Sequence, residues 1–252
     1  MCGRFTHMYT WEELVLLMNA LQPGATLPDG FWERIHERRE KYERNKGKRF
    51  NVAPTQSVPI LRTDAAGMLE PAILRWGLIP SWSRDEAIGA RCINARSEDA
   101  GSKPAFRAAA KHRRCLVPMS SFYEWEPLEG QKFKQPWSIR VAHTNIFAVA
   151  GLWEGWEHGP EPIETFTILT CEPNELMARF HARMPVIVSP EMYRVWMDPA
   201  RENYADLGEV LKPFAAEKME AHRVSTRVNS VANDDAGLLD PVGPRSRGRC
   251  LG

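Results

Sequence analysis

From Ser57 onward the chain is written in short β-type runs, at 57–62, 71–77, 91–94, 114–119, 137–142, 146–153, 164–170, 185–189 and 222–228. Turn signals such as Ala66-Gly67 and Glu129-Gly130 fall between several of them. Helical patterns interrupt at about 103–112, where Pro104 suits a first turn, at 173–181 behind Pro173, and at 190–197 and 201–212. Strands outnumber helices and do not alternate regularly with them. That order argues against a doubly wound parallel sheet, in which crossovers usually carry helices. The expectation is an α+β fold, a single domain with a mixed, barrel-like curved β-sheet flanked by helices. Upstream, Thr10 and Glu13 form a capping box for a helix over 10–21, with Trp11, Leu14 or Val15, Met18 and Leu21 on one face. Breaks at Pro23-Gly24 and Pro28-Asp29-Gly30 precede a highly charged helix over 31–47, better read as a solvated face than as a DNA contact. The domain is expected to span 1–242. Residues 243–252, which include Arg245-Ser246-Arg247-Gly248-Arg249, lack periodicity and read as a flexible tail.

Bulk properties narrow the function. No apolar run approaches the roughly 18 residues of a membrane span. Met1 to Thr10 lacks the apolar stretch of a signal peptide, so a cytoplasmic location is expected. The chain's 5 cysteines, at 2, 92, 115, 171 and 250, are odd in number and widely spaced with no CxxC pair. They suggest neither a disulfide framework nor a structural zinc; no metal and no cofactor is expected, and Cys92, Cys115 and Cys171 read as buried small hydrophobes. With 33 Lys and Arg against 32 Asp and Glu, affinity for nucleic acid must come from local clustering.

Cys2, followed by Gly3 and Arg4, offers unusual chemistry if Met1 is removed. An α-amine and a thiol then sit on adjacent carbons, a 1,2-aminothiol. The amine adds to an aldehyde to give an imine, and the thiol closes a five-membered thiazolidine on the imine carbon. Both groups are usable near neutrality, with ordinary pKa values of about 7.7–8.0 and about 8.5. Five further segments are richer in polar and aromatic residues than their apolar surroundings need. Asn51-Val52-Ala53-Pro54 is a pre-proline loop. In Trp76-Gly77-Leu78-Ile79-Pro80-Ser81-Trp82, Trp76 suits the core and Trp82 suits stacking on an unpaired base. Asn94 and Arg96, two apart in Ile93-Asn94-Ala95-Arg96-Ser97-Glu98, share a face if extended; an amide can hold a sugar or carbonyl oxygen while a guanidinium forks onto a phosphate. Glu124, between Tyr123 and Trp125, is a carboxyl whose surroundings can raise its pKa for proton transfer. His181, in Phe180-His181-Ala182-Arg183-Met184-Pro185, is expected at a helix C-terminus that favours imidazolium. Each has a structural reading too, as an ion-pair partner or a hydrogen-bonded core residue.

Taken in order, Met1-Cys2-Gly3-Arg4-Phe5, Asn51-Val52-Ala53-Pro54, Trp76-Gly77-Leu78-Ile79-Pro80, Ile93-Asn94-Ala95-Arg96-Ser97-Glu98, Arg114-Cys115-Leu116-Val117-Pro118, Phe122-Tyr123-Glu124-Trp125 and His181-Ala182-Arg183-Met184-Pro185 resemble the SOS-response-associated peptidase (SRAP) family. The resemblance runs from Cys2 to about Val242. It implies a monomer that shields abasic sites in single-stranded DNA by linking itself to them, associates with the nucleoid when bound, and loses its initiator methionine by its own peptidase activity; a lyase outcome is possible if ring closure is slow. It also implies roles. Cys2 is the nucleophile, Glu124 relays protons, Asn94 positions the N-terminus and the opened sugar, and His181 assists ring opening. Arg96 and Arg183 contact phosphates, Arg4 and Asn51 line the same groove, and Trp82 with Pro54 wedges against the base stack. The chain departs from members that carry a second tryptophan beside the Trp82 position and an arginine just before the Phe106 position; Ser81 and Pro104-Ala105 stand there, with Lys103 slightly earlier.

Two other classes compete. An N-terminal-nucleophile amidohydrolase also begins with a processed Cys before a Gly, but needs an ammonia-accepting partner domain for which this length leaves little room. A non-covalent single-stranded DNA-binding protein would use Trp82 and the arginines alone.

Overall fold

The computed structural model describes residues 2–21, 33, 37–40, 47–63, 67–243 and 246–247. Its centre is a closed barrel. Strands β3 (Ser57–Thr63), β4 (Leu69–Trp76), β6 (Arg114–Met119), β9 (Phe147–Trp156) and β10 (Ile163–Cys171) pair in the cycle β4-β3-β6-β9-β10-β4. All of these pairings are antiparallel except β10 with β4, so the barrel is mixed, as the strand pattern predicts. Its wall is completed by β5 (Asn94–Arg96), which runs parallel to β10, and by the short strands β11 (Met184–Pro185) and β12 (Ile187–Val188). Ile60, Leu74, Trp76, Val117, Phe166 and Ile168 lie on one face of this wall, the face that carries Gly151, and have no exposed surface. Gly151 is needed there, because a Cβ would lie 2.9 Å from both the Cys115 sulfur and the Thr167 carbonyl.

The runs at 137–142 and 222–228 belong to a second, antiparallel sheet of 6 strands, whose order is β14 (Ser246–Arg247), β13 (Met219–Arg223), β8 (Lys134–Val141), β7 (Ser121–Pro127), β1 (Phe5–His7), β2 (Arg49–Val52). The chain passes from barrel to sheet at one corner, leaving β6 at Met119 and entering β7 at Ser121. β1 is pinned to that corner: Thr6 Oγ1 and Ser121 Oγ are 2.8 Å apart, the Ser120 amide donates to Thr6 O at 2.9 Å, and the Met8 amide donates to Ser120 Oγ at 2.9 Å. Ser246–Arg247, in the stretch read as a tail, pair with β13; the remaining tail residues from 248 lie outside the described part.

Helix α1 (Trp11–Leu21) starts as the capping box requires, with the Thr10 amide donating to Glu13 Oε2 at 2.7 Å and the Glu13 amide to Thr10 Oγ1 at 3.2 Å. The expected charged helix over 31–47 lies mostly outside the described residues; 37–40 are helical, and Arg38 pairs with Glu70 on β4 at 2.6 Å. The other helices are short: α2 (Ser97–Ala100), α3 (Arg107–His112) and α4 (Tyr193–Met197). Two expected helices shrink to single 3₁₀ turns. Over 173–181 only Met177–Arg179 is helical, because Asn174 accepts from the Met177 amide at 2.9 Å and donates to Phe214 O at 2.7 Å, tying the start of the segment sideways. Over 201–212 only Tyr204–Leu207 remains, capped by Asn203. Among the described residues no helix is long and apolar enough to cross a membrane.

Candidate active site at the barrel–sheet junction

Cys2 enters just ahead of β1, where the two sheets meet. Arg4 O accepts from the Tyr123 amide at 2.9 Å, which registers the N-terminal segment against β7 and brings it beside Glu124, one residue along. From the barrel side, Asn94 Nδ2 donates to Cys2 O at 2.9 Å. Asn94 opens β5, and its pairing with Ile168 of β10 fixes its direction. Thus residues 2, 94 and 124, far apart in sequence, converge on one buried point. Cys2 has no exposed surface and Glu124 is buried. The Asn94 Oδ1 atom is also buried and has no hydrogen-bond partner among the described residues. A buried amide oxygen left open is costly, of the order of 1–3 kcal/mol, and is common where a ligand completes the set.

Burial sets the electrostatics. It raises the Glu124 pKa above the usual carboxylate value, opposed by nearby positive charge that includes Lys134. The Cys2 thiol is likewise pushed up, first by burial and then by the Glu124 carboxyl. A thiol in such surroundings stays protonated, so it suits the second nucleophilic step rather than the first.

The structure corrects the expectation for His181. Only a single 3₁₀ turn, Met177–Arg179, precedes it in place of the expected helix, and burial lowers its pKa from 6.5, leaving the ring neutral at neutral pH. Its Nδ1 accepts the Arg183 amide at 3.0 Å, which places the ring proton on Nε2. Phe180, its neighbour, packs on Trp137 with ring centroids 5.3 Å apart, and Trp137 pairs with Glu124 across β7 and β8. His181 is thereby carried on the same wall as Glu124.

The expected DNA contacts divide. The Arg96 side chain is exposed and makes no hydrogen bond or ion pair among the described residues. Trp82 is 58% exposed, its indole N–H donating to Pro104 O at 3.3 Å. Its loop leaves β4 through Gly77 (φ 119°), whose missing Cβ lets the backbone pass Gly89 O. Pro54 opens a tight turn in which Thr55 takes φ 73° and the Gln56 amide donates to Ala53 O at 3.3 Å. Arg183 is not free: it forks onto Glu98 at 2.9 and 2.7 Å and also donates to Thr170 O. Asn51 departs furthest from a groove residue. It is completely buried, accepts from Arg4 at 2.7 Å, and donates to Val228 O, Ser230 O and Asn233 O at 3.3, 3.0 and 2.7 Å. Arg4 also donates to Val228 O at 2.8 Å. This knot holds the 228–233 segment and offers DNA no free donor from Asn51.

Glu98, Trp137 and Lys134 are neighbours of the site that the sequence reading did not single out. The sequence reading also omits the strand that carries Glu124, although the aromatic residues of Phe122-Tyr123-Glu124-Trp125 are a β signal. Among the described residues no group of three or more His, Cys, Asp or Glu is placed to hold a metal ion.

Comparison with known proteins identifies the family. The family model for SOS response associated peptidase (SRAP) matches residues 1–231. The abasic site processing protein YoqW of Bacillus subtilis is 39% identical over 242 residues, 95% of this chain and 99% of that protein. The abasic site processing protein YoaM of the same organism is 39% identical over 241 residues, 95% of this chain and 98% of that protein. A crystal structure of a protein from Bacteroides thetaiotaomicron superposes with a TM-score of 0.77 at 25% identity, covering 96% of this chain and all of that one. With the family model spanning nearly the whole barrel and its attached sheet, the chain belongs to the SOS response associated peptidase (SRAP) family.

Proposed function

We propose that this protein processes abasic sites in single-stranded DNA, trapping the lesion as a thiazolidine on Cys2 once Met1 has been removed. The observation that carries this reading is the Asn94 hydrogen bond to the Cys2 carbonyl beside the buried, pKa-raised Glu124. The names of the relatives support the substrate class.

With Met1 in place, the nitrogen of Cys2 is an amide and cannot form an imine. After its removal, Glu124 takes a proton from the Cys2 ammonium, and the free amine adds to C1′ of the ring-opened sugar. The carbinolamine hydroxyl leaves as water with the proton that Glu124 returns. The thiol then adds to the imine carbon, its proton passing to the nitrogen, and the ring closes. Closure removes the imine that would otherwise promote β-elimination of the 3′ phosphate, so the strand is shielded rather than nicked. His181, neutral, hydrogen-bonds through Nε2–H to the sugar ring oxygen as that C–O bond opens, and the proton lost by the C1′ hydroxyl as the aldehyde forms ends on that oxygen. Asn94 holds the nucleophile still, which is worth a large factor when a misplacement of about 1 Å costs roughly a hundredfold.

A denaturing gel of protein incubated with abasic single-stranded DNA tests the reading, with N-terminal mass spectrometry confirming loss of Met1. Wild type should give a stable shifted band and Cys2→Ala none. Glu124→Gln should slow the shift by roughly 10²–10⁴-fold, the range for a positioned acid–base group. An undiminished band for Cys2→Ala refutes the mechanism.

A further inference from the structure

The hairpin joining β7 to β8 carries Lys132-Phe133-Lys134 at its far end, and none of the three is used by the chemistry above. Phe133 is 55% exposed, and both lysines are exposed without an ion pair among the described residues. A lone exposed phenylalanine means little, since single apolar side chains are common on surfaces. One flanked by two free lysines is different, because it joins a stacking face to two phosphate-seeking charges.

The position matters as much as the composition. Glu124 pairs with Trp137 and, three residues further along the same ladder, Pro127 pairs with Lys134. The tip therefore begins about 10 Å from the catalytic carboxyl at the usual rise per residue. Beyond it the loop turns at Gly130 (φ 71°), with the Gln131 amide donating to Leu128 O at 3.1 Å. The acidic residues nearby do not cancel the lysines. Glu126 accepts from Trp137 Nε1 at 2.9 Å and from Arg179 at 3.4 Å, which leaves Glu129 as the one opposing charge within the loop. Beside the dominant effect of burial, the Lys134 ammonium is felt by both Glu124 and His181, as expected of a residue at the rim of the site.

We infer that the β7–β8 tip is a second single-stranded DNA contact, in which Phe133 stacks on an unpaired base beside the lesion while Lys132 and Lys134 bind the adjoining phosphates. Trp82 and Phe133 are then a pair of platforms carried by different sheets. Trp82 leaves the barrel after β4 and Phe133 ends the β7–β8 hairpin, and Cys2 lies where barrel and sheet join. The inference rests on the proposed function for the nature of the strand, but not on the covalent step.

The test separates the two. Binding of an intact fluorescent oligothymidine, which has no aldehyde, is measured by anisotropy across a salt series, alongside the abasic crosslinking gel. Phe133→Ala should weaken binding roughly 5- to 140-fold, the loss of one stacked base. Lys132→Ala/Lys134→Ala should lower the salt slope by about 1.4, the value for two phosphates on a single strand. All three residues are exposed, so the variants should fold like wild type, checked by thermal melting. Unchanged affinity and slope in both variants, with crosslinking by wild type intact, overturns the second contact and leaves the proposed function standing. Absence of crosslinking by wild type, with the hairpin effects present, does the reverse. A change in oligomeric state on light scattering with unchanged DNA affinity would assign the tip to protein association and also overturn the inference.

Discussion

Asn51 and Asn94 both meet the N-terminal segment, one through the Arg4 side chain and the other through the Cys2 carbonyl, and the family resemblance implies a role for each, in the DNA groove and at the nucleophile. The structure treats them differently. Asn51 is saturated, one oxygen accepting from Arg4 and one nitrogen shared among three carbonyls of the 228–233 segment. Asn94 makes a single bond, to the carbonyl of Cys2, and its oxygen is buried without a partner. A buried polar atom left open has a cost, and a ligand that supplies the missing partner recovers it on binding. Between these two asparagines, completeness of side-chain hydrogen bonding, not residue type, is the difference.

The largest expected effect sets these two residues against each other. Asn94→Ala should slow abasic crosslinking by about a hundredfold, the scale for a nucleophile displaced by roughly 1 Å, while melting close to wild type. Asn51→Leu should do the opposite. It removes donors from several carbonyls and an acceptor from Arg4, at about 1–3 kcal/mol for each group left buried and unpaired, and should lower the melting temperature while properly folded protein still crosslinks. Should Asn51→Leu lose activity without losing stability, the distinction fails.

Much of this division was legible in the sequence and some was not. The barrel strands at 57–62 and 114–119 announce themselves as short bounded apolar runs, and the Thr10–Glu13 box marks α1 because both halves of the reciprocal cap are local. The convergence of Cys2, Asn94 and Glu124 could be suspected only from the motif set, since the contacts that assemble it span the barrel–sheet junction. The state of His181 was misjudged for the same reason. Proline and apolar spacing favour a helix over 173–181, but Asn174 bonds to Phe214, 40 residues away, and the helix that would have favoured imidazolium does not form. Nor does sequence reveal that Arg183 is taken by Glu98, a pairing that joins α2 to β11.

The comparison extends to pH. On the scaffold side, His7 lies beside Arg49 and Asp234, and burial, reinforced by the Arg49 charge, lowers its pKa to about 3. The fold prefers the neutral ring, so this contribution to stability is complete above the ordinary value of 6.5 and is lost as pH falls from there towards about 3. On the site side, Glu124 is shifted upward and acts on rate through proton transfer. Thermal melts at pH 7 and pH 4 should therefore show a smaller drop for His7→Gln than for wild type, with the pH–rate profile of crosslinking little changed. An equal drop in both proteins would remove His7 from the acid response.

The smallest effect distinguishes two arginines assigned the same task. Arg96 is exposed and uncommitted, so a phosphate can reach it without displacing anything. Arg183 already forks onto Glu98, and a phosphate must either displace that carboxylate or settle for the remaining N–H groups. Neutralising one phosphate on a single strand contributes about 0.7 to the salt slope, so Arg96→Ala should lower the slope by that amount. Arg183→Ala should change it less, because a guanidinium already balanced by Glu98 brings little net charge to the strand. Glu98→Gln then sharpens the contrast: with the opposing charge gone, the slope should rise by up to about 0.7 if Arg183 faces a phosphate, and stay put if its work is to hold α2 against β11. Equal losses of slope in Arg96→Ala and Arg183→Ala would mean that DNA displaces Glu98, and that the saturated pair in this structure belongs only to the unbound protein.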